Sequence, residues 1–348
     1  MRITGVETVA ATGRRAYVFV FVDTDEGLSG VGECGLPEQR GALAATVETI
    51  SELLIGQDPM RTAHLWQLLA RGLYFPARRE LSAVISAVDV ALWDLKGQAL
   101  GVPVYELLGG RCRDTVPCYV HLRTGGGEDT ARLVELAHAA VADGWKNLRF
   151  GLPVQKTVID AHRSVRVGVA QFAALREAVG DDVGIALDVH TRLSPGEATT
   201  LCRELASLRP TFVEDPIRSE NPRAMRALRE RTTTPLAAGE QAGNKWELAE
   251  LIENGWIDFA RPDIALAGGF TELLKIAASA ETHYIDVVPH NPLGPVANAA
   301  ALHFSAACPN LALLEQPVPP GDDLAAAVGG QVRAVGGALP IPDGPGLG

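Results

Sequence analysis

Asp188, Glu214 and Glu240 each close a short apolar run, and they stand 26 residues apart. The runs are Gly184–Asp188, Thr211–Glu214 and Leu236–Glu240, and this spacing is one strand plus one returning helix. In a parallel barrel every strand ends on one face, so acids at this period converge at its mouth. Carboxylates about 4 Å apart repel by about 4 kcal/mol per pair at an effective dielectric near 20. A hard divalent cation with oxygen ligands is the simplest neutralising partner. Any one of these acids reads equally well as a helix cap or dipole partner. Three at one period do not.

Histidines stand at the same level. His190 follows Asp188 by two residues and is expected on the same side of its strand. His290 ends the run Asp286–His290, and Asp263 ends Phe259–Asp263, so neighbouring strand ends set the two side by side. A carboxylate beside an imidazole orients the ring and raises its pKa, which suits a general base near neutral pH. Glu315 ends Ala312–Glu315 and faces the same cavity. This set suits removal of a proton α to a carboxylate. Mg²⁺ chelated by the substrate carboxylate would stabilise the enediolate as charge develops. A base on one face takes the proton, and an acid on the other expels a β-hydroxyl, giving dehydration; His290 and His190 provide that pair. His121, near the end of the first barrel strand, is a further candidate lining residue. His64, His138, His162, His283 and His303 read as structural.

The elements that must hold these residues fall into two styles. In the first third, Ile3–Ala10, Ala16–Val22 and Leu28–Cys34 alternate as an antiparallel meander. Helical patterns follow at 41–55, 60–71 and 80–99. The last carries Ser82, Ala83, Ile85, Val88, Ala91, Leu92 and Leu95, spaced to bury one face. The pattern breaks at Leu107-Leu-Gly-Gly110, and the boundary is placed near Arg113. Beyond it, Val116–Val120, Asn147–Phe150 and the six runs ending in the acids and His290 alternate with helical stretches. Eight strands with crossover helices give an α/β fold, a (β/α) TIM-type barrel behind an N-terminal α+β domain. The expected units are 1–113, 114–320 and a C-terminal segment, 321–348, packing back on the first. After Glu315 the chain is loop-rich and stops at Pro345-Gly-Leu-Gly348, so the closing strand that would be expected there reads as missing.

A net charge of −11 over 348 residues argues against a nucleic-acid surface. A small anionic substrate must then be held by local positive charge. Five scattered cysteines without a C-x-x-C pair read as reduced thiols of a cytoplasmic protein. No run is long enough for a membrane span, and the first residues lack the apolar stretch of a signal peptide.

Leu187-Asp-Val-His-Thr-Arg-Leu-Ser194, Phe212-Val-Glu-Asp-Pro216, Ala238-Gly-Glu240, the stretch from Arg261-Pro-Asp263 to Thr271, and Pro289-His-Asn-Pro-Leu-Gly-Pro295 resemble the mandelate racemase group of the enolase superfamily. Ala87-Val-Asp-Val-Ala-Leu-Trp-Asp-Leu-Lys-Gly97 and Leu107-Leu-Gly-Gly110 look like that group's capping-domain signature. The likeness covers nearly the whole chain. It is strongest to sugar-acid dehydratases of the galactonate type, with some likeness to mannonate dehydratases. The resemblance implies that Asp188, Glu214 and Glu240 hold Mg²⁺, and that His290, oriented by Asp263, takes the α-proton. It implies that His190 protonates the departing 3-hydroxyl and that Glu315 hydrogen-bonds the substrate carboxylate and its enolate. The product would be a 2-keto-3-deoxy acid formed from an aldonate. Symmetric homo-oligomers, octamers among them, are the group's habit. Capping-domain loops near Thr12–Arg15 and Gly72–Arg78 would close over the far end of the substrate, where Arg78 or Arg79 could meet it.

One departure matters. Relatives that racemise or lactonise often carry Lys-x-Lys at the end of the second barrel strand. Here Asn147-Leu-Arg-Phe-Gly151 has Arg149 and Gly151 at those places. No lysine base stands on that face, which favours dehydration over racemisation or epimerisation. A metal-binding barrel without catalysis is the third reading, and it is disfavoured because every expected residue type is present.

Overall fold

The computed structural model describes residues 1–12, 16–72, 74–125, 127–153, 160–316, 328 and 331–348. Strands β1 (Ile3–Thr12), β2 (Ala16–Thr24) and β3 (Ser29–Glu33) form the antiparallel meander in the order β1-β2-β3. Helices α1 (Arg40–Leu54), α2 (Thr62–Arg71) and α3 (Glu80–Leu100) cover it. Val18, Val20, Leu43, Ile50, Leu65 and Leu92 lie in the core of this unit. The short α4 (Val104–Leu107) leads away from it. The spacing in α3 suggests one buried face, but the helix is buried on nearly every side. Its outer face is covered by barrel residues near Thr271.

Eight parallel strands follow: β4 (Thr115–His121), β5 (Asn147–Gly151), β6 (Gly184–Asp188), β7 (Val213–Glu214), β8 (Leu236–Ala238), β9 (Phe259–Ala260), β10 (Asp286–Val287) and β11 (Leu314–Gln316). They pair in chain order from β4 to β10, and β11 returns to the other side of β4. A parallel bridge between Val287 and Leu311 joins β10 to the approach of β11 and closes the ring. The returning helices are α5 (Thr130–Ala142), α6 (Ala161–Val179), α7 (Pro195–Leu205), α8 (Arg223–Arg229), α9 (Lys245–Glu253), α10 (Gly269–Glu281) and α11 (Pro295–Ala307). Local chemistry starts several of them. Asp129, Asp160 and Asn244 accept from the third residue of α5, α6 and α9, and Ser194 with Glu197 forms a capping box on α7. Tyr119, Ala186, Phe212, Ala237 and Val288 fill the barrel interior.

The closing strand that reads as missing from the loop-rich sequence is present as β12 (Ala338–Pro340), which runs antiparallel to the start of β4. Beyond it, the Leu347 amide donates to Asp94 of α3 at 2.9 Å, the Gly346 carbonyl accepts the Val104 amide at 2.9 Å, and the Gly346 amide donates to the Val102 carbonyl at 3.0 Å. His303 links α11 to the same tail, with Nε2 3.2 Å from the Leu347 carbonyl. Residues 13–15 and 73 of the two expected specificity loops, and 321–327, 329 and 330 of the expected C-terminal segment, lie outside the described residues. No helix among the described residues is long and apolar enough to cross a membrane.

Candidate active site

The three acids and the histidine pair gather at the C-terminal ends of the barrel strands. Asp188 and Glu214 are the last residues of β6 and β7, adjacent in register and fully buried. Glu240 lies two residues past β8, on the turn after the positive-φ Gly239. Asp263 and His290 stand three residues past β9 and β10 and form a parallel bridge with each other. Glu315 is the middle residue of β11.

Asp263 holds His290. One carboxylate oxygen accepts the Ala265 amide at 2.8 Å, and the other lies 2.8 Å from His290 Nδ1. That leaves His290 Nε2 facing Glu240, 3.3 Å from its Oε2. Burial opposes charge on the imidazole, but Glu240, Asp263 and Glu315 outweigh it and raise its pKa to about 10. Glu240 is the largest of the raising influences, so a cation that takes up its carboxylate lowers His290 towards the range of a neutral-pH base.

His190 is placed by a turn rather than by strand alternation. β6 stops at Asp188, and His190 and Thr191 both take positive φ, 51° and 59°. The ring folds back so that Nε2 lies 2.8 Å from Asp188 Oδ2, while its amide donates to Oδ1 at 2.8 Å. Burial works against a charged ring here too, and the Asp188 carboxylate overcomes it, raising the pKa of His190.

Two arginines that the sequence reading did not assign hold the acids together. Arg149, from the middle of β5, is 2% exposed. Its Nε and Nη2 bind the two oxygens of Glu214 at 2.8 and 2.9 Å, Nη2 also pairs with Asp188, and Nη1 reaches Glu315 at 3.2 Å. Arg261 is fully buried, and its Nη2 bridges Glu214 at 2.9 Å and Glu315 at 2.8 Å. Both guanidiniums lie 5.8 Å from the Tyr119 ring centre. Burial alone would raise the Glu315 pKa, but Arg149, His290 and Arg261 hold it well below the usual carboxylate range. Glu315 is thus an acceptor, secured also by the Asn291 amide at 3.1 Å. His121 meets the same arginine, its Nδ1 3.3 Å from Arg149 Nη1; burial and Arg149 push its pKa down to about 3, so its ring is neutral.

The carboxylates that converge most closely are Glu214, Asp215 and Glu240, whose oxygens lie within 4.8 Å of one another. Asp188, expected as the third member, faces them across Arg149 and His190. Asp215 takes a positive φ of 38°, which turns its side chain inward, and burial together with Glu240 and Glu214 raises its pKa. Asp215 Oδ2 is buried without a hydrogen-bond partner among the described residues, and Glu240 Oε2 has the His290 ion pair at 3.3 Å but no hydrogen bond of good geometry. Buried acceptors aimed at one another need a proton or a cation between them. An all-oxygen donor set fits a hard divalent cation. The acid after Glu214 was visible in Phe212-Val-Glu-Asp-Pro216, but strand alternation predicts that it points outward. Arg149 had a signal: it alternates with Leu148 and Phe150, which face the helices.

Residues 4–109 match the mandelate racemase / muconate lactonizing enzyme N-terminal domain, and residues 132–348 match the enolase C-terminal domain-like family. A D-galactonate dehydratase of Ralstonia nicotianae is 38% identical over 316 residues, 91% of this chain and 81% of that protein. One from Xanthomonas oryzae pv. oryzae is 37% identical over 318 residues, 91% and 82% of the two chains. An enolase from Pantoea ananatis, solved with bound D-gluconate and Mg, superposes with a TM-score of 0.93 at 29% identity, covering 100% of this chain and 92% of that one. An enolase from Agrobacterium radiobacter with bound Na and L-malate gives 0.92 at 33% identity, with the same coverage. With both of its domains matched, this chain belongs to the mandelate racemase / muconate lactonizing enzyme family of the enolase superfamily.

Proposed function

We propose that the protein is a Mg²⁺-dependent hydro-lyase that dehydrates a sugar acid, with an aldonate as the first class to assay, to a 2-keto-3-deoxy acid. The observation that carries this is the Asp263–His290 pair beside Glu240, on the wall of a cavity of about 300 Å³. Asp263 fixes the imidazole through Nδ1 and leaves Nε2 towards the cavity, the atom that takes the α-proton. Glu214 and Glu240 are the first candidates to hold the cation, with Asp188 as the third ligand and Asp215 adjoining. When bound, the cation supplies Lewis-acid stabilisation of charge on the substrate carboxylate. His190, its pKa raised by Asp188, is suited to donate a proton to the departing hydroxyl. Glu315, held ionised by Arg149 and Arg261, accepts hydrogen bonds and aligns those guanidiniums. The names of the galactonate dehydratase relatives support the same reaction class. Arg149 and Gly151 stand where relatives that racemise or lactonise often carry lysines, which disfavours epimerisation.

The test is incubation with Mg²⁺ and a panel of stereoisomeric aldonic and aldaric acids, with assay of 2-keto-3-deoxy product. Product that vanishes in EDTA and in His290→Asn supports the reading. Absence of product from every acid, with metal demonstrably bound, overturns it.

A further inference from the structure

We propose that Arg79 forms a subsite for a second, distal carboxylate, so that hydroxylated diacids are preferred over monoacids. The inference rests on the dehydratase reading and narrows its substrate class beyond the aldonate expected from the sequence. The cavity holding His290, Asp263 and Glu240 is walled on its far side by the capping-domain turn at Leu36, Pro37 and Glu38 and by Arg79. Of its charged residues, Glu240 belongs to the acid cluster and Asp263 is taken by His290. Glu38 and Arg79 remain, and they are not in ion-pair contact with each other or, among the described residues, with any other side chain.

The backbone at Arg79 is arranged at a cost. It sits at φ 44° and ψ −107° as the residue before α3, and its carbonyl accepts the Ala83 amide at 2.9 Å. A long side chain at positive φ is uncommon, and such strain collects where a side chain has to be aimed. The neighbouring Arg78 lines the two clefts outside the His290 cavity, whereas Arg79 lines both that cavity and one of those clefts. Arg79 therefore stands at the wall between the cavity and solvent, in a protein whose net charge of −11 repels anions at long range.

A chain that reaches from the acid cluster to this wall meets an acceptor at Glu38 and a cation at Arg79. A hydroxylated diacid presents both complements, hydroxyl donors to Glu38 and a carboxylate to the guanidinium fork. An aldonate of the same length offers Arg79 only a neutral terminal hydroxyl. Because Arg79 is exposed, the charged contact is expected to favour a diacid by about threefold rather than by the larger factor of a buried pair.

The test separates recognition from turnover by using six-carbon acids without hydroxyls, which cannot be dehydrated. Binding of adipate and hexanoate to the Mg²⁺-loaded protein is measured by calorimetry for the wild type, Arg79→Gln, Arg79→Lys and Arg78→Gln. The expectation is adipate about threefold tighter than hexanoate, with the preference lost in Arg79→Gln, partly kept in Arg79→Lys and unchanged in Arg78→Gln. Equal binding of the two acids by the wild type, or a preference that survives Arg79→Gln in a variant of unchanged Tm, overturns the subsite. Turnover of galactarate and galactonate is followed in parallel, with the wild type expected to favour galactarate in kcat/KM. An adipate preference carried by Arg79 without product from any sugar acid would instead sink the dehydratase reading.

Discussion

Replacing Arg149 by Met keeps the stem and removes the one cation that touches Asp188, Glu214 and Glu315 together. Arg261 still pairs with Glu214 and Glu315 but not with Asp188, which keeps only His190. The loss is therefore that of one uncompensated buried carboxylate rather than three. Removing one partner of a buried ion pair costs about 3–5 kcal/mol. At about 2.1 cal/mol/K per residue, a chain of 348 residues unfolds with an entropy of about 0.7 kcal/mol/K. Arg149→Met should then lower Tm by about 4–7 °C, measured by calorimetry in EDTA. Arg149→Lys should fall between the two, since it keeps the charge and loses the two-pronged grip on Glu214. The double variant Arg149→Met, Asp188→Asn removes the stranded charge and should recover at least about 1.5 kcal/mol of the loss. A drop of less than about 1 °C, or a double variant less stable than the single one, would refute the idea that Arg149 neutralises the carboxylate cluster.

Two further predictions concern the capping domain. A Cβ on Gly32 would lie 1.9 Å from the Ala87 carbonyl oxygen in α3. Neither backbone can yield, so Gly32→Ala should cost about 3 kcal/mol, seen as a fall of about 4 °C in Tm. The second is a pH effect at Glu33, which is buried and accepts the Gly294 and Ala297 amides at 2.7 and 3.0 Å. Burial raises its pKa from 4.5 to about 7, so the folded protein binds a proton there that the unfolded chain releases. Its contribution is complete below pH 4.5 and lost as pH rises to about 7, by up to about 3 kcal/mol. Asp89, raised from 3.8 to about 7 by burial, acts in the same direction. Glu33→Gln should flatten the fall in Tm over that window, and an unchanged slope would show that Glu33 does not titrate there.

Strand-end acids were legible because a barrel converts a sequence period into a place. Asp188, Glu214, Glu240, Asp263, His290 and Glu315 could be put at one mouth without knowing a single side-chain torsion. What that logic missed lies where the period stops. Asp215 sits on a positive-φ turn just past β7, so alternation along a strand says nothing of where it points, whereas His190, expected beside Asp188, reaches that place through such a turn past β6. Arg149 and Arg261 were harder for another reason. An arginine is ordinarily read as solvated, and its burial here follows from a sum over acids brought together from three strands. The capping domain was readable as a meander and three helices, yet α3 was not readable as buried all round. Small residues such as Ser82, Ala83, Ala87 and Ala91 were the signal, since they let β3 and the barrel approach its backbone from opposite sides.

The capping domain does more than roof the cavity, because the loop that carries Asp263 is fastened to it. The Ala265 carbonyl accepts the Gly35 amide at 2.8 Å, and the Gly268 amide and carbonyl bind Ser86 and Trp66 at 2.8 and 3.1 Å. Asp89 accepts the Thr271 amide at 3.0 Å at the start of α10. Gly268 and Gly269 take positive φ, 102° and 67°, where added side chains would collide with Glu272 and Asp89. The loop is thus pinned on both sides of the turn that follows Asp263. Asp263 in turn fixes the ring of His290, and Glu33 holds the segment just beyond it through the Gly294 amide. An imidazole displaced by about 1 Å loses a large part of its value as a base. The position of His290 is therefore set jointly by two barrel strands and by the capping domain. Sequence changes in β3 or α3 should consequently reach the chemistry through the Asp263 loop rather than through contact with substrate.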